Sequence, residues 1–98
     1  MYKKLIYLLL LVTSFTQAQN DVIKGKIVDE NNETLLGANV YWLNTNIGVV
    51  TNENGEFTIK KTSETTSLVV SYIGYNTKKI EVIDDSFLTI KLKAVEEL

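Results

Sequence analysis

Few kinds of side chain in this sequence are equipped for chemistry. Histidine, cysteine and arginine are absent from its 98 residues, which removes the usual general base, thiol nucleophile and soft metal ligands and leaves carboxylates, lysine, tyrosine, serine and threonine. Two carboxylates can share acid and base duties when burial raises the pKa of one. Asp84-Asp85, with Asp29-Glu30, could pair in this way. Nothing in the sequence brings them together or buries either, so both read as solvated turns. Asn52, Glu53, Asn54 and Glu56 place oxygen atoms around Gly55, as an oxygen-seeking calcium ion would require. The stretch lacks aspartate and the twelve-residue frame of a specific calcium loop, and a tight turn explains it better. No catalytic, cofactor-binding or metal-ligating residue is assigned, and no cofactor is expected.

Binding chemistry has more candidates. Tyr41, Trp42, Tyr72 and Tyr75 could line a sugar-stacking face, since flat rings suit sugar faces and their polar tips can hydrogen bond. In a small β-protein, aromatic residues at alternate positions more often fill the core. Gly25, Gly37, Gly48, Gly55 and Gly74 read as turns and bulges, because a phosphate cradle would need a helix start behind it. Asn32-Glu33-Thr34 fits an N-glycosylation acceptor only in a eukaryotic host. Nucleic acid is an unsuitable partner. Without arginine there is no planar fork for phosphate or guanine, and the formal net charge is −2.

The elements that must position these residues begin after a distinct front segment. Lys3 and Lys4 precede an unbroken apolar run from Leu5 to Val12, followed by small and polar residues ending in Thr16-Gln17-Ala18. That is the three-part layout of a secretion signal, with cleavage expected after Ala18. At ~1.5 Å per helical residue the run reaches about 12 Å, far short of a bilayer core of roughly 30 Å. Residues 1–18 are therefore expected to be a signal-peptide helix that is removed. Losing Lys3 and Lys4 leaves eight lysines against twelve carboxylates and takes the charge from −2 to −4. With no cysteine after the run, lipid anchoring of the bacterial lipoprotein kind is impossible.

From Val22 onward the apolar pattern has period two, and the spacing predicts strands at 22–28, 38–43, 48–51, 56–60, 67–73, 77–82 and 87–93. No stretch carries helical recurrence, and there is no room for the crossover helices of a parallel sheet, so largely antiparallel sheets are expected. Alternation turns Ile23, Gly25 and Ile27 inward and Lys24 and Lys26 outward. By the same logic Val40, Trp42, Phe57, Ile59, Leu68, Val70, Tyr72, Ile80, Val82, Leu88, Ile90 and Leu92 complete the predicted core. Asn54-Gly55 predicts a hairpin between the runs at 48–51 and 56–60. Residues 29–33 and 62–66 are expected to be surface loops. The fold class expected is all-β, a seven-stranded, mainly antiparallel sandwich of the transthyretin-like or immunoglobulin-like kind.

Four blocks of residues resemble the carboxypeptidase regulatory-like family: Ile23-x-Gly25-Lys26-Ile27-Val28-Asp29, Leu36-Gly37-Ala38-Asn39-Val40, Gly48-Val49-Val50-Thr51-Asn52-x-Asn54-Gly55-Glu56-Phe57-Thr58-Ile59, and Leu68-x-Val70-Ser71-Tyr72-Ile73-Gly74-Tyr75. They come in the family's order and cover nearly all of residues 19–93. The positions carrying the resemblance are Gly25, Gly37, Ala38, Val40, Gly48, Thr51, Gly55, Phe57, Tyr72, Gly74 and Tyr75. One departure is Leu35-Leu36, where family members often place a proline before the Gly-Ala pair.

The resemblance implies a transthyretin-like sandwich without enzymatic activity, often the periplasmic front module of TonB-dependent outer-membrane receptors in Gram-negative bacteria. There it precedes a plug and a β-barrel, and its partner is an envelope or outer-membrane protein. Residues 94–98, Ala94-Val95-Glu96-Glu97-Leu98, resemble the linker toward the TonB-contacting segment. The chain is expected to be a soluble module, either the front of a truncated or split receptor or a self-contained periplasmic binder of a glycan or envelope protein. A hydrolase of the transthyretin-like kind would need histidines that are absent.

Overall fold

A computed structural model describes residues 21–96; the expected signal helix at 1–18 lies outside the described residues. The described chain forms seven strands and no helix: β1 (Val22–Val28), β2 (Asn39–Trp42), β3 (Gly48–Val50), β4 (Glu56–Lys60), β5 (Ser67–Ser71), β6 (Lys78–Glu81) and β7 (Leu88–Lys91). They build two sheets, one in the order β4-β1-β7 and the other β3-β2-β5-β6. Both β1 and β4 span the lengths predicted from the sequence, and the other strands are shorter at one or both ends. At β5 the reason is local: Gly74 adopts a φ of 87°, and the Tyr75 N–H donates to the Tyr72 carbonyl at 3.0 Å, so the chain has already turned by Ile73.

Four of the five strand pairings are antiparallel, as the sequence pattern requires. The fifth, β1 with β7, is parallel, with Gly25 opposite Leu88 and Ile27 opposite Ile90. No crossover helix is needed, because the intervening chain passes through the other sheet. This pair depends on Gly25. A Cβ there would lie 2.5 Å from the Leu88 carbonyl oxygen and 2.8 Å from Cε1 of Phe57, its partner on the opposite side. Gly25 therefore makes room for the Phe57 ring within the sandwich.

The interior follows the alternation. Ile23, Ile27, Val40, Trp42, Phe57, Ile59, Leu68, Val70, Ile90 and Leu92 are buried, and Tyr72, Ile80, Val82 and Leu88 pack against them at the rim. Leu35 and Ala38 join this core from a loop, where period two does not apply. Val28 and Val69 are also buried although their strand positions face outward. Residue 34 pairs back onto Val28, and Val69 lies in register between Tyr41 and Lys79 on the outer face of its sheet.

The expected hairpin at Asn54-Gly55 is a tight turn of another kind. β3 pairs with β2 and β4 pairs with β1, so the turn carries the chain from one sheet to the other. Only Gly55 has a positive φ, 72°, and Asn54 does not, whereas the two-residue hairpin turn expected from Asn-Gly needs both. Thr51 starts this departure from β3. Its buried hydroxyl accepts from the Ala38 N–H at 2.9 Å and donates to the Leu35 carbonyl at 2.5 Å.

Candidate interaction surfaces

The strand directions gather the loops at two ends. Residues 29–38, 51–55, 72–77 and 92–96 meet at one end, and residues 43–47, 61–66 and 82–87 at the other. This placement separates the two carboxylate pairs, with Asp29-Glu30 at the first end and Asp84-Asp85 at the second. Asp84 accepts from the Ser86 hydroxyl at 2.5 Å and from the Ser86 N–H at 2.9 Å; these bonds hold its carboxyl below its ordinary pKa. Asp85 pairs with Lys61 at 2.6 Å. On β6, the Ser67 hydroxyl and then the Thr66 hydroxyl lower the pKa of Glu81, with Lys79 adding to the effect. Both resolved shifts favour the charged carboxylate, the reverse of what a general acid at neutral pH requires.

At the turn after β3 the Asn52 side-chain oxygen faces its own backbone, accepting from the N–H groups of Asn54 and Glu56 at 2.9 Å each. It is occupied as a turn former. Among the described residues no group of three or more acidic side chains is placed to hold a metal ion.

The aromatic side chains are likewise dispersed. Trp42 is 2% exposed, and its indole N–H donates to the Lys60 carbonyl at 2.7 Å, so its ring tethers the two sheets and offers no stacking face. Tyr41, one residue earlier on the same strand, lies on the outer face of the sheet. Tyr72 and Tyr75 pair with each other at the first end, their ring centroids 5.6 Å apart. A sugar-stacking face made of all four does not exist. The alternation of β2 alone was sufficient to separate Tyr41 from Trp42.

The glycines serve backbone geometry. Gly37, Gly55 and Gly74 have positive φ, Gly25 sits where a side chain would collide with both neighbouring strands, and Gly48 lies in close approach to β2 at Tyr41. A cleft of about 190 Å³ opens over Ile23 and Trp42 at the second end, rimmed by Lys61, Thr66 and Asp85. That is below the roughly 300 Å³ at which small-molecule pockets begin. Lys61 and Asp85 are paired with each other, and the Thr66 hydroxyl is committed to Glu81.

Exposed apolar residues mark the surface more clearly. Leu36, Ile73 and Val95 stand out at the first end around the Tyr72-Tyr75 pair, and Ile83 and Phe87 at the second. The Val95 N–H donates to the Gly74 carbonyl at 2.9 Å, and Ala94 pairs with Tyr75. The final described residues thus run through the first apolar cluster. Val50 is 60% exposed on the edge strand β3.

These surfaces belong to a known kind of module. The profile of the CarboxypepD_reg-like domain matches residues 23–97. The chain belongs to that family. A relative, TonB-dependent receptor P39 of Formosa agariphila, is 34% identical over 91 residues that cover 89% of this chain and 9% of the receptor. The chain thus spans about a tenth of the receptor it resembles. Among solved structures, the CarboxypepD_reg-like fold is similar to a chain in two interface mutants of a type II cohesin–X-dockerin complex from Acetivibrio cellulolyticus. The TM-scores are 0.61 and 0.59 at 25% and 23% identity, covering 74% of this chain and 57% of the other in each case. The family is a non-catalytic regulatory-like one.

Proposed function

We propose that this chain is an exported, non-catalytic module of an outer-membrane uptake system, acting in the periplasm as the front accessory domain of a TonB-dependent receptor. The observation that carries this reading is the 34% identity to such a receptor. The extent of the match adds to it. Coverage of 89% of 98 residues is about 87 residues and leaves about 11 outside, so the match reaches into residues 1–18. A secretion signal stands at the front of a protein, which favours the front of the receptor as the matched part. Residues 19–93 are then the interaction module and residues 94–98 its connection to the plug and barrel. The proposed partner is an envelope or outer-membrane protein. The eleven positions of the family resemblance serve the frame that presents the surfaces.

The test is fractionation of the native host with N-terminal sequencing of the recovered protein, together with the reading frame downstream of its gene. A protein in the periplasmic or outer-membrane fraction that starts at Gln19, beside a plug-and-barrel reading frame, supports the proposal. A cytoplasmic protein that retains Met1, beside an unrelated gene, overturns it.

A further inference from the structure

Each sheet has two edges, and they are protected unequally. On β6 the edge carries Lys78 and Lys79, on β4 it carries Glu56 and Lys60, and on β7 the Lys91 carbonyl accepts from the Lys78 ammonium at 3.2 Å. Charged side chains on an edge oppose pairing with another strand. β3, Gly48-Val49-Val50, has none.

Its register shows which backbone groups are free. The Trp42 N–H donates to the Ile47 carbonyl at 3.1 Å and the Thr51 N–H to the Ala38 carbonyl at 2.9 Å, while Val40 lies opposite Val49. In an antiparallel ladder the residue pairs that exchange hydrogen bonds alternate with those that do not. Val49 therefore turns its N–H and C=O toward β2, and Gly48 and Val50 turn theirs to the open side.

Those two residues complement themselves. In an antiparallel pair of identical β3 strands centred on Val49, Gly48 of one copy stands opposite Val50 of the other. Both free residues of each strand then exchange hydrogen bonds with the second copy. The side chains agree with this register. Gly48 lies opposite Tyr41 and carries no side chain, and a shallow hollow lined by Tyr41, Gly48, Val50 and Ser71 lies beside it. Val50 of the second copy would lie over that hollow on the same face, and no charged side chain lines it. We propose that β3 pairs with β3 of a second copy about a two-fold axis at Val49, joining two four-stranded sheets into one of eight. A three-residue edge buries much less than a standard interface, so the association is weak and depends on concentration.

Sedimentation velocity on the purified chain, from about 20 µM to about 1 mM where small interfaces assemble, tests this. The weight-average sedimentation coefficient is expected to rise across that range for the wild type and to stay flat for Val50→Lys. Val50 is exposed, so an unchanged urea midpoint will show that this variant remains folded. The chain has no cysteine, so Val49→Cys is expected to form a disulfide dimer on oxidation at high concentration. Thr58→Cys, on the edge of β4, is expected to remain monomeric. Amide exchange at Gly48 and Val50 is expected to slow as concentration rises. The proposal is overturned by a flat wild-type profile, by equal association of Val50→Lys, or by equal cross-linking at 49 and 58.

Discussion

The loops at residues 29–33 and 52–56 follow one backbone plan with different surroundings. In each, the first side chain accepts from two N–H groups: Asp29 from Asn31 at 2.8 Å and Glu33 at 2.9 Å, Asn52 from Asn54 and Glu56 at 2.9 Å. In each, the first and fifth residues are joined by a backbone bond, from the Asp29 N–H to the Glu33 carbonyl and from the Asn52 N–H to the Glu56 carbonyl. The fourth residue has a positive φ, 66° at Asn32 and 72° at Gly55. Yet the first loop is a surface excursion at the end of β1, and the second carries the chain between sheets. Beside Gly55 there is no room: a Cβ would meet the Ile27 carbonyl oxygen and the Thr34 Cβ at 2.8 Å. The plan requires only a residue that tolerates a left-handed backbone. Contact with the residues flanking the other loop, Ile27 and Thr34, is what selects glycine at 55.

The largest effect is accordingly expected from Gly55→Asn. Asparagine accepts the backbone angle, as Asn32 shows, so any loss reports on crowding against Ile27 and Thr34. Forced contacts of this kind cost about 1–3 kcal/mol, and displacement of the bond from the Ile27 N–H to the Gly55 carbonyl, 2.8 Å long, adds about 1 kcal/mol. Urea unfolding of Gly55→Asn should show the combined loss. A shift below about 0.5 kcal/mol, the range of ordinary surface changes, would refute the crowding. Next comes the residue that leads into each loop. Val28 and Thr51 are both buried and nearly isosteric, but only Thr51 has a hydroxyl to satisfy backbone groups, at Leu35 and Ala38 in the loop before β2. Thr51→Val leaves the Ala38 N–H and Leu35 carbonyl without its hydroxyl, at about 1–3 kcal/mol. Thr51→Ser should recover most of that loss in the same measurement; failure to do so would assign it to packing.

The difference between the loops also shows what could be read without a fold. Alternation placed Ile23 and Ile27 inside and Lys24 and Lys26 outside because it is a local property of the strand. Asn-Gly located the turn at 52–55 for the same reason. Which sheet each flank joins depends on partners far along the chain, β2 for one and β1 for the other, and no local signal carries that. Val28 and Val69 were missed because alternation does not report what flanks an outward position: the chain pairs back onto Val28 at residue 34, and Val69 lies between Tyr41 and Lys79. Dispersal of the aromatic set was partly legible, since neighbours on a strand cannot share a face. Which edge is open was not legible, because it follows from strand order. Exposure of β3 became visible only once the turn at 52–55 had separated β3 from β4.

Smaller effects come from the shared plan itself. Asn52→Ala removes one acceptor from two N–H groups that water can reach, so about 1 kcal/mol is expected in urea unfolding. Asn52→Asp should be nearly neutral, because Asp29 performs the same function with a carboxylate; a large loss from it would show that the two loops do not share one plan.

Asn32→Gly is expected to change stability least. Glycine would relieve the cost of holding a side chain at a φ of 66°, which favours the folded state. It would also free the unfolded chain, which favours unfolding by about 0.4–1 kcal/mol. At this exposed position the two effects oppose each other. The predicted net change lies within about 0.5 kcal/mol, the spread of surface substitutions. Paired with Gly55→Asn, this gives reciprocal exchanges at matching backbone positions, and their unfolding midpoints should differ by far more than the backbone angles do. Equal losses from the two exchanges would mean that backbone conformation, and not the contact of Gly55 with Ile27 and Thr34, chooses the residue at both places.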